Sequence, residues 1–158
     1  MGRYCARLVA KGYSQVPGKD FFDTFAPVAR FESVRTILAF AIQNDLQINQ
    51  FDVATAFLYG DLDEEIYMRQ PPGFINKDEE HLVWKLKKSL YGLKQSSRCW
   101  NRKIDESLKQ LGYLPCLSDP CIYVKFDEIS IIILYVDDII VASSSSDVIT
   151  EIQNALKK

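Results

Sequence analysis

The sequence lacks the run of about 18 apolar residues that a membrane-spanning helix needs, and Met1-Gly2-Arg3-Tyr4 lacks the apolar stretch of a secretory signal. It has 1 histidine, and its 4 cysteines include no Cys-x-x-Cys pair, so the paired spacings of a zinc site are missing. Only 7 glycines and 6 prolines interrupt 158 residues, of which 47% are hydrophobic. These features predict no membrane partner, no zinc, reduced cysteines and a single globular domain.

The net charge is −2, but the charged residues are unevenly distributed along the chain. Residues 1–30 carry five basic and two acidic side chains, residues 45–80 two basic and nine acidic, and residues 82–109 eight basic and two acidic. Such blocks can place an acidic centre between walls that bind a polyanion. They can equally be a patchwork of solvated faces, and charge alone does not separate the two interpretations.

Hydrophobic periodicity predicts an α+β fold with an antiparallel sheet and helices packed on one face. The helices are expected at Ser33–Asp45, Ser97–Leu111 and Asp147–Leu156, with Gly112 ending the second and Ser146 capping the third. The strands are expected at Tyr4–Lys11, Gln47–Val53, Glu65–Arg69, Leu82–Leu86, Cys121–Phe126, Ile129–Val136 and Ile139–Ala142.

Three aspartates stand out because apolar residues surround them. Asp137 and Asp138 lie between the apolar runs 131–136 and 139–142, as if at the tip of a hairpin, although aspartate is also an ordinary turn residue. Alternation along a strand sends Asp52 to the face opposite Phe51 and Val53. If the two segments are neighbouring strands, three carboxylates converge, and such oxygen ligands suit Mg²⁺. Two such ions can activate a 3′-hydroxyl and stabilise a leaving pyrophosphate.

The motifs resemble those of reverse transcriptases. Tyr135-Val136-Asp137-Asp138 is similar to the family's Tyr-x-Asp-Asp signature, and Asp52 corresponds to its first catalytic aspartate. Three further stretches resemble the copia branch of retrotransposon Pol polyproteins, namely residues 6–12, 21–28 and 90–95. The resemblance implies a fingers and palm fragment of a right-hand polymerase without the thumb. Fingers-like parts are expected at about residues 1–45 and 60–90, and palm-like parts at about residues 46–59 and 91–158.

The resemblance also implies roles for individual residues. Asp52, Asp137 and Asp138 are expected to be catalytic and to bind two Mg²⁺ ions, with Mn²⁺ as a substitute. Phe57 corresponds to the aromatic gate against a ribose 2′-hydroxyl, although a core aromatic is the alternative. The other expected nucleotide-binding residues are Arg7, Lys11, Tyr91, Gly92 and Gln95. The cations expected to face template or primer phosphates are Lys85, Lys87, Lys88, Lys94, Arg98, Arg102 and Lys103.

Two positions depart from the copia pattern. Cys5 stands where a lysine is usual, and Ser96-Ser97 precedes Arg98 where the family has Ala-Pro or Ser-Pro. A serine there can bond to the backbone and shift the start of the helix.

The expected partners are an RNA or DNA template-primer, deoxynucleotides and the rest of a Pol polyprotein, whose thumb, ribonuclease H, protease and integrase segments are not expected in this chain. The family implies a cytoplasmic virus-like particle. Three interpretations of the function remain open: part of an active polymerase, a remnant that binds only metal or nucleic acid, and a generic RNA-binding sheet. The chain alone is expected to be inactive.

Overall fold

The computed structural model describes residue 4, residues 6–126 and residues 129–156, so the Cys5 departure lies outside the described residues. It divides into two compact units, 1–25 with 57–103 and 26–56 with 104–158. The helices are α1 (Phe31–Gln43), α2 (Ser96–Gln110) and α3 (Ser146–Ala155). The strands are β1 (Gln47–Asp52), β2 (Tyr67–Arg69), β3 (Val83–Lys85), β4 (Leu114–Pro115), β5 (Ile122–Lys125), β6 (Ser130–Tyr135) and β7 (Asp138–Ser143). In the described ranges, no helix is both long and apolar enough to cross a membrane.

The second unit is built on a five-stranded sheet with the order β1-β7-β6-β5-β4, in which every neighbouring pair is antiparallel. Strand β6 is central, and its apolar residues 131–134 are all buried, which explains why they show no alternation with polar residues. Helices α1 and α3 both contact β7. The predicted mixture of helices with an antiparallel sheet is therefore confirmed.

Helix α1 begins without a side-chain cap of its own, because Arg30 occupies the cap position. The carboxylate of Asp119 supplies the acceptor instead, since the Arg30 N–H donates to Asp119 Oδ2 at 3.0 Å. Its other oxygen accepts the Cys121 N–H at 3.0 Å. Asp119 is only 3% exposed. A buried aspartate distant in sequence thus anchors the start of this helix.

Helix α1 ends two residues earlier than predicted, because Asp45 turns into the left-handed region with φ of 51°. The N–H of Leu46 then bonds to the carbonyl of Ala41 at 2.9 Å, which is the hydrogen bond of a Schellman ending. Ala41 and Leu46 share a buried cluster with Ala142 of β7. The end of the helix therefore places the start of β1 against β7.

Helix α2 begins at Ser96, one residue before the predicted start, and the Ser96 hydroxyl donates to the carbonyl of Leu90 at 2.6 Å. Its residues up to Lys103 belong to the first unit and those from Ile104 to the second. Gly112, with φ of 87°, ends it as predicted. In the second unit, the Tyr123 hydroxyl donates to Asp105 at 3.0 Å and ties the second-unit part of α2 to β5.

Three expectations about local structure were wrong or incomplete. The described part of Tyr4–Lys11 forms no strand, and its Ala10 N–H bonds instead to the Tyr91 carbonyl at 2.7 Å. Ser145, not Ser146, occupies the cap position of α3, and its side chain makes no capping bond. Strand β4 was not predicted, because two residues are too short for a periodic signal. The predicted pairing of residues 65–69 with residues 82–86 is confirmed over the shorter strands β2 and β3.

Candidate active site

Asp52 and Asp138 face each other across two neighbouring strands. Asp52 is the last residue of β1, Asp138 is the first of β7, and the register pairs them directly. Residues directly opposite in an antiparallel pair project from the same face of the sheet. The structure therefore places Asp52 at a strand end adjacent to the Asp-Asp hairpin, but Asp138, not the predicted Asp137, lies directly opposite it. The catalytic role of these residues stays a prediction.

Asp137 lies in the two-residue turn that joins β6 to β7. The turn residues are Val136 and Asp137, and the flanking pair is Tyr135 with Asp138. Val136 has φ of 59°, whereas Asp137 is not among the residues with positive φ. This is the backbone pattern of a type II′ turn, where glycine is the usual first residue. A β-branched valine in that position indicates local backbone strain beside the aspartates.

A backbone hydrogen bond ties the two aspartate segments together. The N–H of Val53 donates to the carbonyl of Asp137 at 3.1 Å, one step beyond the Asp52–Asp138 pair. The turn is thus held against the end of β1. In the described ranges, however, no group of three His, Cys, Asp or Glu side chains is close enough to share a metal ion. The structure presents a facing pair of carboxylates with Asp137 beside it in the turn.

The chemistry of this pair fits a hard divalent cation. Mg²⁺ in proteins is commonly held by one or two carboxylates and completes its shell with water and substrate phosphates. Asp52 is exposed and Asp138 is half-buried, so solvent and a substrate can reach both. Asp138 Oδ1 accepts a hydrogen bond from the Gln50 side-chain amide at 2.9 Å. Sequence reasoning missed Gln50, because it lies within an ordinary strand pattern.

The first unit gathers several of the predicted nucleotide-binding residues around Tyr91. The ring of Phe57 meets that of Tyr91 edge-on, with centroids 5.0 Å apart and planes at 63°. The Arg7 guanidinium lies over the Tyr91 ring, 5.5 Å from its centroid. Lys11 is exposed on the same stretch of chain as Arg7. The structure thus brings Arg7, Phe57 and Tyr91 into contact in one group.

Gly92 lies where two backbone segments cross. A Cβ on Gly92 would collide with the carbonyl oxygen of Ala10, and a Cβ on Gly12 would collide with that of Gly92. Gly92 also has φ of 93°. Glycine is therefore needed at this position for the packing of its own chain, whether or not a nucleotide binds nearby.

Gln95 is only 1% exposed, and its amide is bonded within the protein. Its Nε2 donates to the Asp20 carbonyl at 2.9 Å and to Glu64 Oε2 at 3.1 Å, and its Oε1 accepts from Gln15 Nε2 at 3.0 Å. Gln15 Oε1 in turn accepts the Lys94 N–H at 2.7 Å. The amide of Gln95 is therefore held inside the first unit by the protein's own hydrogen bonds. Gln15 and Glu64 were missed, because no local pattern signals partners so distant in sequence.

Most cations predicted to face nucleic acid are paired with carboxylates of the first unit. Arg102 binds Asp63 through two hydrogen bonds of 2.5 and 3.0 Å, and Lys103 binds Asp61 at 3.2 Å. The further pairs are Lys88 with Asp61, Lys85 with Glu65, and Arg98 with Asp23. Among the described residues, no ion pair involves Lys87 or Lys94.

These ion pairs change the electrostatics of the acidic run at residues 61–65. Hydrogen bonds from Lys88 and Lys103 hold the pKa of Asp61 below its usual range, and the one from Arg102 does the same for the pKa of Asp63. The side chains remain substantially exposed, so the pairs Lys88–Asp61 and Arg102–Asp63 each contribute no more than about 1 kcal/mol. The sequence showed the acidic and basic blocks but gave no sign that they would neutralise each other.

Comparison with known proteins identifies the class to which this geometry belongs. The family described as reverse transcriptase (RNA-dependent DNA polymerase) matches residues 1–158. The chain therefore belongs to the reverse transcriptase family.

Its relatives are polyproteins of retrotransposons. The chain is 50% identical to the retrovirus-related Pol polyprotein from transposon TNT 1-94 of Nicotiana tabacum, over 99% of its own length and 12% of that protein. It is 44% identical to the Pol polyprotein from transposon RE1 of Arabidopsis thaliana, over 91% of the chain and 10% of that protein. It thus spans about a tenth of these relatives. No solved structure matches the chain.

Proposed function

We propose that this chain is part of an RNA-directed DNA polymerase of a copia-type retrotransposon, which adds deoxynucleotides to a primer 3′-hydroxyl on an RNA or DNA template. The observation that carries the proposal is the direct pairing of Asp52 with Asp138 at the end of an antiparallel sheet, in a chain of the reverse transcriptase family. A generic RNA-binding sheet gives no reason to place two facing carboxylates where phosphates would have to bind.

The three aspartates are proposed to hold the divalent cations of the reaction. Asp52 and Asp138 would bind Mg²⁺, or Mn²⁺ in its place, from facing strands, and Asp137 would join them from the turn. Bound Mg²⁺ would supply activation of the attacking hydroxyl and neutralise charge on the phosphates. The chain's own contribution is to fix the carboxylates by strand pairing, and the Val53–Asp137 hydrogen bond supports this.

The first unit is proposed to bind the incoming nucleotide. Phe57, supported edge-on by Tyr91, has the rigidity that a steric gate against a 2′-hydroxyl requires. Arg7 and Lys11 would contact the triphosphate, while Gly92 and Gln95 would shape the segment that carries Tyr91. The division into fingers-like parts at about residues 1–45 and 60–90 and palm-like parts at about residues 46–59 and 91–158 belongs to the same proposal.

Lys87 and Lys94 are the foremost candidates for template or primer phosphates, because the other five predicted cations already have carboxylate partners. The remaining proposed partners are the other parts of a Pol polyprotein, including the thumb and ribonuclease H, within a cytoplasmic virus-like particle.

The proposal can be tested in a chimeric polyprotein. This chain would replace the matching segment of the tobacco polyprotein, to which it aligns over 99% of its length. DNA synthesis on a primed RNA template with Mg²⁺ should then be measured. Asp137→Asn should reduce it by at least about 100-fold, since a misplaced reacting group alone can cost that much.

Asp45→Asn is the matched control. It also removes one carboxylate from the second unit, and asparagine tolerates the left-handed backbone of that position. This variant should retain synthesis. A folded chimera without synthesis would favour the alternative that the chain is a remnant able only to bind metal or nucleic acid. Full synthesis by the Asp137→Asn chimera would contradict the proposed role of the aspartates.

A further inference from the structure

Gln50 makes a side-chain contact across the two strands that carry the facing aspartates. Its Nε2 donates to Asp138 Oδ1 at 2.9 Å. Gln50 lies two residues before Asp52 on β1, so the two side chains share a face of the sheet. In the register, Gln50 stands opposite Ile140, one step along from the Asp52–Asp138 pair. The contact is therefore diagonal and reaches toward the strand end.

The length and charge of Gln50 suit this contact. Two residues along a strand span about 6.6 Å, so only a long side chain can lie along the face and reach Asp138. Asparagine is one methylene shorter, and glutamate of equal length would repel the carboxylate. Lysine would form an ion pair and neutralise the negative charge that a cation needs. A neutral amide donor can hold the carboxylate and leave its charge intact.

The hydrogen bond also leaves capacity on the carboxylate. An ionised carboxylate has about four acceptor sites on its two oxygens, and one amide N–H uses one of them. Within the described ranges, Gln50 is the only side chain that donates to Asp138. The second oxygen therefore remains available to a cation, while the bond to the first restricts rotation of the group.

We propose that Gln50 is a positioning residue that orients the carboxylate of Asp138 for divalent-cation binding. This inference rests on the proposed function, because it assumes that Asp138 is a metal ligand. Groups that hydrogen-bond to metal-binding side chains commonly change metal affinity by about 10- to 100-fold when they are removed. Gln50 acts on the metal only through Asp138.

The chain offers a matched control in Gln47. This residue is also a glutamine on β1 and is also exposed, but alternation sends it to the opposite face. The comparison of Gln50→Met with Gln47→Met therefore separates loss of the Asp138 contact from loss of any strand glutamine. Methionine preserves side-chain length and removes the amide donor.

The first measurement needs no metal. The side-chain amide resonances of Gln50 are followed by NMR in the unchanged chain, in Asp138→Asn and in Asp147→Asn, whose aspartate lies in the first turn of α3. Loss of the carboxylate acceptor in Asp138→Asn should shift the Gln50 amide protons upfield, and Asp147→Asn should leave them in place. An identical Gln50 spectrum in all three proteins would overturn the proposal.

The second measurement uses Mn²⁺ alone as the probe. Paramagnetic broadening of resonances near Asp52 and Asp138 gives its dissociation constant. Gln50→Met should raise this constant by about tenfold, whereas Gln47→Met should leave it within about twofold. The thermal unfolding midpoints of the two variants should agree, so that weaker binding is not a consequence of a weaker strand.

The outcomes distinguish this inference from the proposed function. Mn²⁺ binding that is lost in Asp138→Asn but unchanged in Gln50→Met would overturn the positioning role and leave the proposed function standing. Equal weakening of Mn²⁺ binding by Gln50→Met and Gln47→Met would also overturn the positioning role of Gln50 and leave the proposed function standing. Absence of Mn²⁺ broadening near Asp138 in the unchanged chain, or binding that survives Asp138→Asn, would remove the metal site and with it both proposals.

Discussion

Asp119→Ala should destabilise the second unit by about 3 kcal/mol. The carboxylate accepts the N–H groups of Arg30 and Cys121 and a hydrogen bond from the Ser33 side chain. Cys121 is fully buried, so its orphaned N–H would cost about 2 kcal/mol. Arg30 and Ser33 can turn to water, so each adds only about 0.5 kcal/mol.

The effect should depend on pH in a defined direction. Burial raises the pKa of Asp119, but the hydrogen bonds from Arg30, Ser33 and Cys121 outweigh it, so the pKa lies below its ordinary value. A lowered pKa stabilises the folded state above the unfolded pKa of about 3.9, and that contribution is lost as pH falls through the folded pKa. The difference between the unchanged chain and Asp119→Ala should therefore be constant from about pH 7 to 5 and shrink below about pH 4.

Urea unfolding followed by circular dichroism measures both effects, since the second unit contains α1, α3 and the five-stranded sheet. Asp147→Ala is the matched control, because Asp147 also lies at a helix start but is exposed. It should cost no more than about 1 kcal/mol, as expected for a charge near a helix dipole. A loss in Asp119→Ala no larger than in this control, or one that stays constant down to pH 3, would refute the anchoring role of Asp119.

Three further predictions concern backbone strain, close packing and buried thiols. Val136→Gly removes the strain of a positive φ and should leave the thermal unfolding midpoint unchanged or higher. Val141→Gly leaves a cavity at a fully buried site and should lower the free energy of unfolding by at least about 3 kcal/mol. Gly92→Ala should destabilise the first unit by more than about 2 kcal/mol, while Gly73→Ala, which also has positive φ but open space around it, should cost about 1 kcal/mol in the same melting experiment. Burial raises the pKa of the Cys121 thiol to about 11, so iodoacetamide should label this cysteine at pH 8 only after unfolding. Rapid labelling of Cys121 in the folded chain, located by peptide mass spectrometry, would contradict its burial.

The elements that the sequence predicted well are those with a repeated local pattern. The apolar runs on both sides of Asp137 and Asp138 predicted the β6–β7 hairpin, and alternation around Asp52 predicted the face of β1 that it occupies. Gly112 predicted the end of α2, because few other residues adopt the left-handed backbone there. Each of these signals lies within a few residues of the feature that it predicts.

The features that the sequence did not reveal depend on partners distant in the chain. Gln50 bonds to Asp138 across 88 residues, and Gln15 bonds to Gln95 across 80. The helix start at Arg30 uses a carboxylate 89 residues away. Polar side chains carry no periodic signal that indicates such partners. For the same reason, the sequence suggested a nucleic-acid surface where the structure has several ion pairs.

The contact of Ala41, Leu46 and Ala142 has a consequence for the opposite end of β1. Side chains alternate between faces at every residue of a strand, so a slip of one residue between β1 and β7 would turn Asp52 away from Asp138. The buried Leu46 contact fixes where β1 starts against β7, and the length of β1, six residues, then determines that Asp52 lies opposite Asp138. A single insertion or deletion within this strand would leave the core contact and the sheet in place, yet send one of the two facing carboxylates to the other side.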